Sequence, residues 1–291
     1  MCHVIMKNLF AIHKNEADNH YQRFIVKQLS EEGIAQAEGL LKEGQELNKK
    51  KNGFVWLGGV SVLLMVSGAS LTLMYIFYSK EGFLAALKGR PAMFIISVVA
   101  LLIGIVMQII YRVLLYKRKD DPEVKDYVEK TDRITKQGED ELLIPSDALE
   151  IDVIVPLMKK NKKGEDRLTS SGLIQFINQA FKVYVDGDAL CFADPTMVIA
   201  IPLSSIQGVT EITKRIPLPH WNKKEHFNSP KYKAYGVYTN QSGFIWIKNY
   251  FSINCSIEDE DYCIWIPCYD FDVIKPLLGE VVVRAEKQGW M

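Results

Sequence analysis

Two long apolar stretches decide the fold: GFVWLGGVSVLLMVSGASLTLMYIFY at residues 53–78 and PAMFIISVVALLIGIVMQIIY at residues 91–111. Neither stretch contains a charged side chain. A bilayer core about 30 Å thick needs roughly 20 apolar residues in an α-helix, so each stretch is long enough to span it. The sequence therefore predicts a transmembrane helical hairpin over residues 53–116.

The average composition hides this hairpin. The chain has 291 residues with 35 basic and 35 acidic side chains, and 48% of its residues are hydrophobic. These values exclude a disordered chain and a small disulfide scaffold, and the zero net charge argues against a nucleic-acid binder. Mostly polar residues precede the first stretch, which argues against a signal peptide, and Met6 is an alternative start to Met1.

The basic residues beside the spans indicate an orientation. Cytoplasmic flanks of membrane spans carry an excess of Lys and Arg. The outer flanks of the hairpin contain Lys49, Lys50, Lys51, Arg112, Lys117, Arg118 and Lys119, whereas the connecting loop contains Lys80, Lys88 and Arg90. We expect a multi-pass protein of the plasma membrane with both termini in the cytoplasm.

Small residues inside the spans predict close helix packing. Glycine and alanine let helix backbones approach each other in lipid. The candidate packing positions are Gly58, Gly59, Gly68, Ala100 and Gly104, with Gln108 as an interhelical hydrogen-bond donor. Packing within one chain and packing between copies both remain open. No acidic or basic side chain lies at mid-membrane, so the sequence does not indicate an ion-coupled site.

The segments flanking the hairpin have helical patterns. Residues 1–52 form a cytosolic helical region in this prediction, with Ser30 as an N-cap and Ile34, Ala37 and Leu41 on one stripe. A charged connector over residues 117–148 is expected to form a second helix, capped by Asp121, begun by Pro122 and terminated by Gly138.

Residues 149–291 change to the twofold alternation of β-strands. Strands are expected from Ile151 onward, with Pro156 marking an edge strand, and around FKVYV, ALCFA, MVIAI, residues 207–212, GFIWI, FSINCSI and YCIWI. Asp186-Gly187 predicts a tight hairpin, and a short helix is expected over residues 171–179. A helical stripe of Ile274, Leu277, Val281 and Ala285 predicts a C-terminal helix. The fold class is α+β: two transmembrane helices, then a mainly antiparallel β domain with a helical cap.

The order of these elements resembles the bacterial pleckstrin-homology-like (PH-like) membrane proteins. The resemblance rests on IPLSSI at residues 201–206, on IWIPCYDFDVIKPLL at residues 264–278, and on the preceding pair of spans. It implies a strongly bent seven-stranded sheet, capped by the helix that begins near Asp270. It also implies a recognition module, although the fold alone does not specify a ligand.

The best candidate binding surface is the segment KRIPLPHWNKKEHFNSPKYKAY at residues 214–235, here called the basic segment. Basic side chains near an anionic leaflet attract lipid headgroups, and tryptophan settles at the headgroup level. The alternative is a solvated loop whose aromatic side chains lie on the sheet. The candidate contact residues are Lys214, Arg215, His220, Trp221, Lys223, Lys224, Lys231 and Lys233.

Catalytic and metal motifs are not recognisable in the sequence. The five cysteines form no CxxC pair, a Cys255–Cys263 disulfide would contradict a cytosolic location, and no His and Cys set has zinc-ligand spacing. Residues 258–261 (EDED) read as a solvated hairpin turn rather than a calcium loop. A hydrolytic triad of Ser204 or Ser205, His220 and Asp270 has no motif to support it. We therefore expect no enzyme activity, cofactor or metal.

Two functions fit these features. The preferred one is a membrane-anchored binding or assembly protein whose PH-like domain recognises a protein, a peptide or an anionic lipid headgroup. The alternative is an oligomeric two-span channel or transport-associated subunit. The loop between the spans is too short for a pore helix and has no TVGYG-like filter, which argues against the potassium-channel form of that alternative. The expected partners are the lipid bilayer and a protein or anionic lipid, with homo-oligomers an open case and no nucleic acid.

Overall fold

The computed structural model describes residues 6–51, 53–78, 91–161, 164, 166–169, 174–219, 232, 234, 235, 237–239 and 244–286. The chain divides into two compact units. The helical unit comprises Ile34–Lys136, and the β unit comprises Met1–Gly33 together with Gln137–Met291. The protein is of the α+β class.

Among its described residues, the helical unit and its borders contain four helices: α1 (Glu31–Lys51), α2 (Val55–Tyr78), α3 (Pro91–Lys119) and α4 (Pro122–Glu141). Helices α2 and α3 are long and apolar enough to cross a membrane, over Val55–Met74 and Ala92–Arg118. The Ser30 hydroxyl accepts a hydrogen bond from the Gly33 amide, as expected of an N-cap. Asp121 and Pro122 begin α4 as predicted, and the Asp121 carboxylate accepts the Glu123 amide.

The strands of the β unit come from both of its chain segments. The N-terminal segment supplies β1 (Lys7–Asn8), β2 (Ile12–His13) and β3 (Ile25–Gln28). The C-terminal segment supplies β4 (Leu149–Lys160), β5 (Asp166–Leu168), β6 (Phe176–Asp186), β7 (Ala189–Ala193), β8 (Met197–Pro202), β9 (Ile206–Ile212), β10 (Ile216–Pro219), β11 (Tyr238–Thr239), β12 (Phe244–Ile247), β13 (Tyr250–Ile257), β14 (Glu260–Pro267) and β15 (Val283–Glu286). A short helix, α5 (Cys268–Ile274), follows β14.

These strands form one large mixed sheet and one small sheet. The large sheet has 12 strands with the main order β15-β9-β13-β14-β4-β6-β7-β8-β3, and β1, β2 and β5 pair onto its middle. Its pairs are antiparallel apart from β1–β14, β2–β4 and β15–β9, which are parallel. The small sheet has the order β10-β12-β11. The main core contains Leu9, Phe10, Val153, Phe192 and Ile264, all almost fully buried.

The expectation that residues 6–29 are helical is wrong. This segment contains three short strands and two 3-10 turns, and its side chains Leu9, Phe10 and Ala11 are at most 3% exposed. Pairing of β1 with β14, β2 with β4, and β3 with β8 supplies backbone hydrogen bonds that a local pattern does not reveal. Leu41 is 62% exposed, so it also lies off the buried stripe of α1, where Leu40 is the buried leucine.

Two expectations about strands β4 and β6 are also corrected. The described part of the predicted helix, residues 174–179, is not helical, and residues 176–179 are extended because β6 pairs with β4 from Phe176 onward. Strand β4 is not an edge strand, since it lies between β6 and β14, and the ladder passes through Pro156. Proline removes only its own N–H, which this register tolerates.

The C-terminal helix is much shorter than its apolar stripe predicts. It ends in a 3-10 turn, Lys275–Leu278, because Pro276 cannot continue the hydrogen-bond ladder and Gly279 adopts a positive φ of 69°. Strand β15 (Val283–Glu286) pairs with β9, and Val281 lies in the irregular stretch before it, so Val281 and Ala285 do not lie on a helix. Gly138 does not terminate α4 either; the helix continues to Glu141.

Several turns match the sequence. The β6–β7 hairpin is present, with Asp186 paired to Ala189 and Gly187 at a φ of 61°. The Asp194 carboxylate accepts the amides of Thr196 and Met197 and so fixes the turn into β8. Glu258 and Asp259 form the predicted turn between β13 and β14.

Candidate functional site

The α2–α3 pair has a polar interior. The Ser61 hydroxyl donates a 2.5 Å hydrogen bond to Gln108 Oε1, and Thr72 Oγ1 lies 3.0 Å from Ser97 Oγ. Ser61 is fully buried and Ser97 is 1% exposed. Gln108 thus makes an interhelical hydrogen bond as predicted, but as its acceptor and not as its donor.

Glycines bring the two helix backbones together beside these hydrogen bonds. A Cβ atom on Gly68 would lie 2.7 Å from the Leu101 amide nitrogen, and one on Gly104 would lie 2.9 Å from the Ser61 carbonyl oxygen. Gly58 approaches the Tyr111 ring in the same way, at 2.9 Å. These contacts pair early residues of α2 with late residues of α3, so the helices are antiparallel.

Two of the expected packing residues behave differently. A Cβ atom on Gly59 would meet no described atom within 4 Å, so Gly59 is not a packing position in this pair. Ala100 is partly buried. The interface instead uses serine and glycine seven residues apart on both helices, Ser61 with Gly68 and Ser97 with Gly104. This spacing of seven is present in the sequence, but the prediction of packing positions considered only small residues that are four positions apart or adjacent.

The outer faces of α2 and α3 are strongly apolar. Only 11% of the span in α2 and 17% of the span in α3 is buried within the structure. The exposed side chains include Leu63, Val66, Phe77, Ile96 and Leu102, each more than half exposed. Exposed surface this apolar marks a membrane or protein contact in a stable protein.

An ion-pair cluster joins α1 to α4 where these helices meet the two spans. Lys51 Nζ lies 2.6 Å from Asp121 Oδ2 and 3.0 Å from Glu123 Oε2, and Lys50 Nζ lies 3.1 Å from Glu123 Oε1. Hydrogen bonding to Asp121 and Glu123 raises the pKa of Lys51, and hydrogen bonding to Lys51 lowers the pKa of both carboxyls. Further along, the Tyr127 hydroxyl donates to the Leu40 carbonyl oxygen and occupies the space beside Gly44.

Most of the basic segment lies outside the described residues. This applies to His220, Trp221, Lys223, Lys224, Lys231 and Lys233. Lys214 and Arg215 are described and exposed, and the Arg215 guanidinium lies 5.0 Å from the Trp246 ring centre. That distance allows a cation–π contact.

The described aromatic residues of the basic segment lie on the β unit. Tyr232 is 8% exposed and contacts the Tyr269 ring edge-to-face with centroids 4.8 Å apart. The Tyr235 hydroxyl donates to the Asp272 carboxylate. The start of the segment also forms β10, which pairs with β12. Both contacts are made with α5, so these two tyrosines pack against the β unit.

The described cysteines and Asp270 are buried, and Ser205 makes a local hydrogen bond to the backbone. Cys191, Cys255, Cys263 and Cys268 are buried and form no disulfide, and burial raises the pKa of Cys255 and Cys263 to about 12. Asp270 is fully buried and accepts the Asp152 amide at 2.9 Å. The Ser205 hydroxyl donates to the Pro202 carbonyl oxygen, and His220 lies outside the described part of the chain.

A cluster that sequence reasoning missed lies on the large sheet. One ligand atom each from His13, His20 and Asp166 lies within 4.8 Å of the others. Burial, followed by the nearby His13 and Lys7, lowers the pKa of His20. His13 and Asp166 are far apart in sequence, so ligand spacing in the sequence could not have revealed this arrangement.

Comparison with known proteins adds no relationship. No family model, curated protein or solved structure matches the chain.

Proposed function

We propose that the protein is an integral membrane protein that serves as a binding or assembly module. In this proposal α2 and α3 form a two-span anchor in the plasma membrane, and the β unit recognises a protein, a peptide or an anionic lipid headgroup on the cytoplasmic side. The observation that carries the proposal is the inverted polarity of the α2–α3 pair. Ser61 contacts Gln108 and Thr72 contacts Ser97 across the pair, whereas most of its large apolar side chains point away from it.

The physical reason is the difference between water and lipid as a solvent. In water, exposed apolar surface is costly and interior polar groups give little in return. In lipid, outward apolar side chains are solvated, and helix association depends on close backbone contact and interhelical hydrogen bonds. The Gly68–Leu101 and Gly104–Ser61 approaches and the Ser61–Gln108 hydrogen bond fit the second case.

The ion-pair cluster supports the same placement. Lys50, Lys51, Asp121 and Glu123 lie directly before one span and directly after the other, where charged groups reach the headgroup region. Gln108 also supports an anchor in preference to a channel. Its amide oxygen accepts a hydrogen bond from Ser61 within the helix pair, whereas a pore-lining side chain would face the pore.

Membrane insertion can be tested with two matched leucines. Leu63 on α2 is 68% exposed and Leu41 on α1 is 62% exposed. An arginine near the middle of a span costs about 2.5–3.5 kcal/mol in insertion, so Leu63→Arg should shift the protein out of the alkali-resistant membrane fraction. Leu41→Arg, in a polar helix, should not. Equal behaviour of the two variants would contradict insertion of α2.

The orientation is tested by cysteine labelling from outside intact cells, in a background with Cys2→Ser. A cysteine placed at Ser79 should label, and one placed at Gln288 should label only after permeabilisation. The reverse pattern would invert the proposed topology.

The recognition role is tested on the full chain in detergent micelles with vesicles that contain anionic lipid. We expect binding that falls as salt rises, since exposed charges are screened. Neutralising Lys214, Arg215, Lys223 and Lys224 should weaken binding strongly. Unchanged binding would remove the basic segment from the lipid-contact proposal and leave a protein or peptide as the ligand to be sought by capture from native membranes.

A further inference from the structure

Two short strands beside the end of β4, together with the turn that follows β2, assemble a cluster of possible ligands. His13 on β2 is opposite Met158 of β4, and Asp166 on β5 is opposite Lys160 of β4. Residues 158 and 160 point to the same face of the strand, because side chains alternate along it. The register therefore places His13 and Asp166 on one face, on either side of β4.

The turn after β2 adds the second histidine. The buried Asn19 side chain accepts the His13 amide through Oδ1 at 2.8 Å, which closes the chain between residues 13 and 19. His20 follows immediately, and its ring lies edge-to-face on His13 with centroids 5.3 Å apart. Asn19 thus sets the distance between the two imidazoles.

His13 has an unusual environment for a buried polar side chain. It is 4% exposed, and neither ring nitrogen has a hydrogen-bond partner among the described residues. Asp166 Oδ1 lies 3.5 Å from Nδ1 but outside hydrogen-bonding geometry. Leaving a buried polar atom unsatisfied costs about 1–3 kcal/mol, so a ligand bound to one of these ring nitrogens would relieve that cost there.

We propose that His13, His20 and Asp166 bind a divalent transition metal ion of the zinc class. Two imidazoles and one carboxylate suit Zn²⁺ and its neighbours Co²⁺ and Ni²⁺, whereas Mg²⁺ and Ca²⁺ prefer sets made of oxygen ligands. Three protein ligands leave a coordination position for water or for a donor from outside.

The distances fit such an ion. Ligand atoms about 2.0–2.1 Å from a tetrahedral zinc ion lie roughly 3.3 Å from each other. The His13 Nδ1–Asp166 Oδ1 separation of 3.5 Å already meets this value. One ligand atom from each of the three residues lies within 4.8 Å of the others, and both His20 and Asp166 retain the solvent exposure that permits side-chain rotation towards an ion.

The neighbouring charges are compatible with a bound cation. Lys160 lies on the same face, but its Nζ is 2.8 Å from Asp18 Oδ2, which compensates its charge. Lys7 is held by Glu260 Oε1 at 2.7 Å. The ion would fasten the N-terminal segment to the β4–β5 hairpin, and so couple metal occupancy to the order of residues 12–20.

The test uses the full chain in detergent micelles after treatment with a chelator. Wild type should bind one Zn²⁺ per chain by calorimetry and give a Co²⁺ absorption spectrum with nitrogen ligation, with no response to Mg²⁺. His20→Gln and Asp166→Asn replace side chains that are not fully buried, so both variants should fold by circular dichroism. Each should weaken Zn²⁺ binding by more than about 100-fold, which exceeds the usual effect of an outer-shell change.

Two controls separate this site from other ligands. Glu280→Gln removes an exposed carboxylate outside the ligand set, and His220→Ala with His226→Ala removes the imidazoles of the basic segment. Both should keep wild-type affinity and the Co²⁺ spectrum. The assignment is overturned if wild type binds neither ion at one per chain, if His20→Gln and Asp166→Asn bind as well as wild type, or if the His220 and His226 changes abolish binding.

Discussion

Ser61 donates a hydrogen bond to Gln108 across two antiparallel helices whose other faces are apolar. Gln108 lies one helical turn after Gly104 on α3. Because Gly104 has no side chain, the Ser61 backbone can approach α3 closely. Hydrogen bonds between membrane helices contribute about 0.6 kcal/mol on average and up to about 1.7. The close backbone contact therefore carries much of the association, and the hydrogen bond fixes its register.

The pairing of α2 and α3 should be sensitive to a methyl group at Gly68 and insensitive to one at Gly59. A Cβ atom on Gly68 meets backbone atoms of Leu101 and Ser97 at 2.7–2.8 Å, which cannot move without shifting the helix. Gly68→Ala should weaken pairing by roughly 1–3 kcal/mol, as overpacking does. Energy transfer between dyes on the two helices during denaturing-detergent titration would measure it. Gly59→Ala is the matched control, and an equal loss in both variants would refute the interface.

Replacing Leu143 by glycine should stabilise the β unit. Leu143 has a φ of 57°, and the amides of Leu143 and Ile144 donate to the carbonyls of Asp140 and Glu139, which is a Schellman helix end. A non-glycine residue in this conformation lowers the folding stability by about 1–2 kcal/mol. Glycine removes this strain, but the greater flexibility of glycine in the unfolded chain offsets part of the gain.

We expect a net gain of about 0.5–1 kcal/mol for Leu143→Gly in denaturant unfolding. The side chain is 71% exposed, so little burial is lost. Leu142→Ala, at a neighbouring residue that is 1% exposed, should instead lose about 2–5 kcal/mol. A destabilised Leu143→Gly would show that the exposed leucine has a contact that offsets its backbone strain.

The features that the sequence predicted are those encoded by neighbouring residues. The apolar spans, the Ser30 and Asp121 caps, the Gly187 hairpin and the Asp194 turn each depend on a few adjacent side chains. The features that it missed depend on distant pairing. Strands β1 and β2 have only two residues each, too few for alternation to be visible, and His13 meets Asp166 only because both flank β4.

The attachment of β1 should weaken in acid through Glu260. Hydrogen bonds from Lys7 and Tyr262 lower the pKa of Glu260 from its ordinary 4.5 to about 2. A lowered folded-state pKa contributes stability that is fully present above pH 4.5 and is lost as the pH falls towards 2. Glu260→Gln should therefore be less stable than wild type at neutral pH, and the difference should shrink between about pH 5 and pH 2.

Thermal unfolding of both proteins across this pH range would measure the difference. Glu280→Gln replaces an exposed carboxylate elsewhere in the β unit and should follow wild type throughout. A gap between wild type and Glu260→Gln that does not depend on pH would mean that Glu260 acts through packing rather than charge.

The N-terminal segment should be an integral part of the β unit. Phe10 is 3% exposed, and its ring centroid lies 4.8 Å from that of Phe181 and 5.3 Å from that of Phe192. Phe10→Ala should cost about 3–5 kcal/mol of unfolding free energy, as a large cavity does. Val26→Ala, at a 57% exposed residue of the same segment, should change the unfolding free energy by less than about 0.5 kcal/mol.

A fragment of residues 149–291 should unfold at lower denaturant concentration than the full chain, because it lacks the buried core side chains Leu9 and Phe10. Equal midpoints would show that the C-terminal strands form a complete core alone.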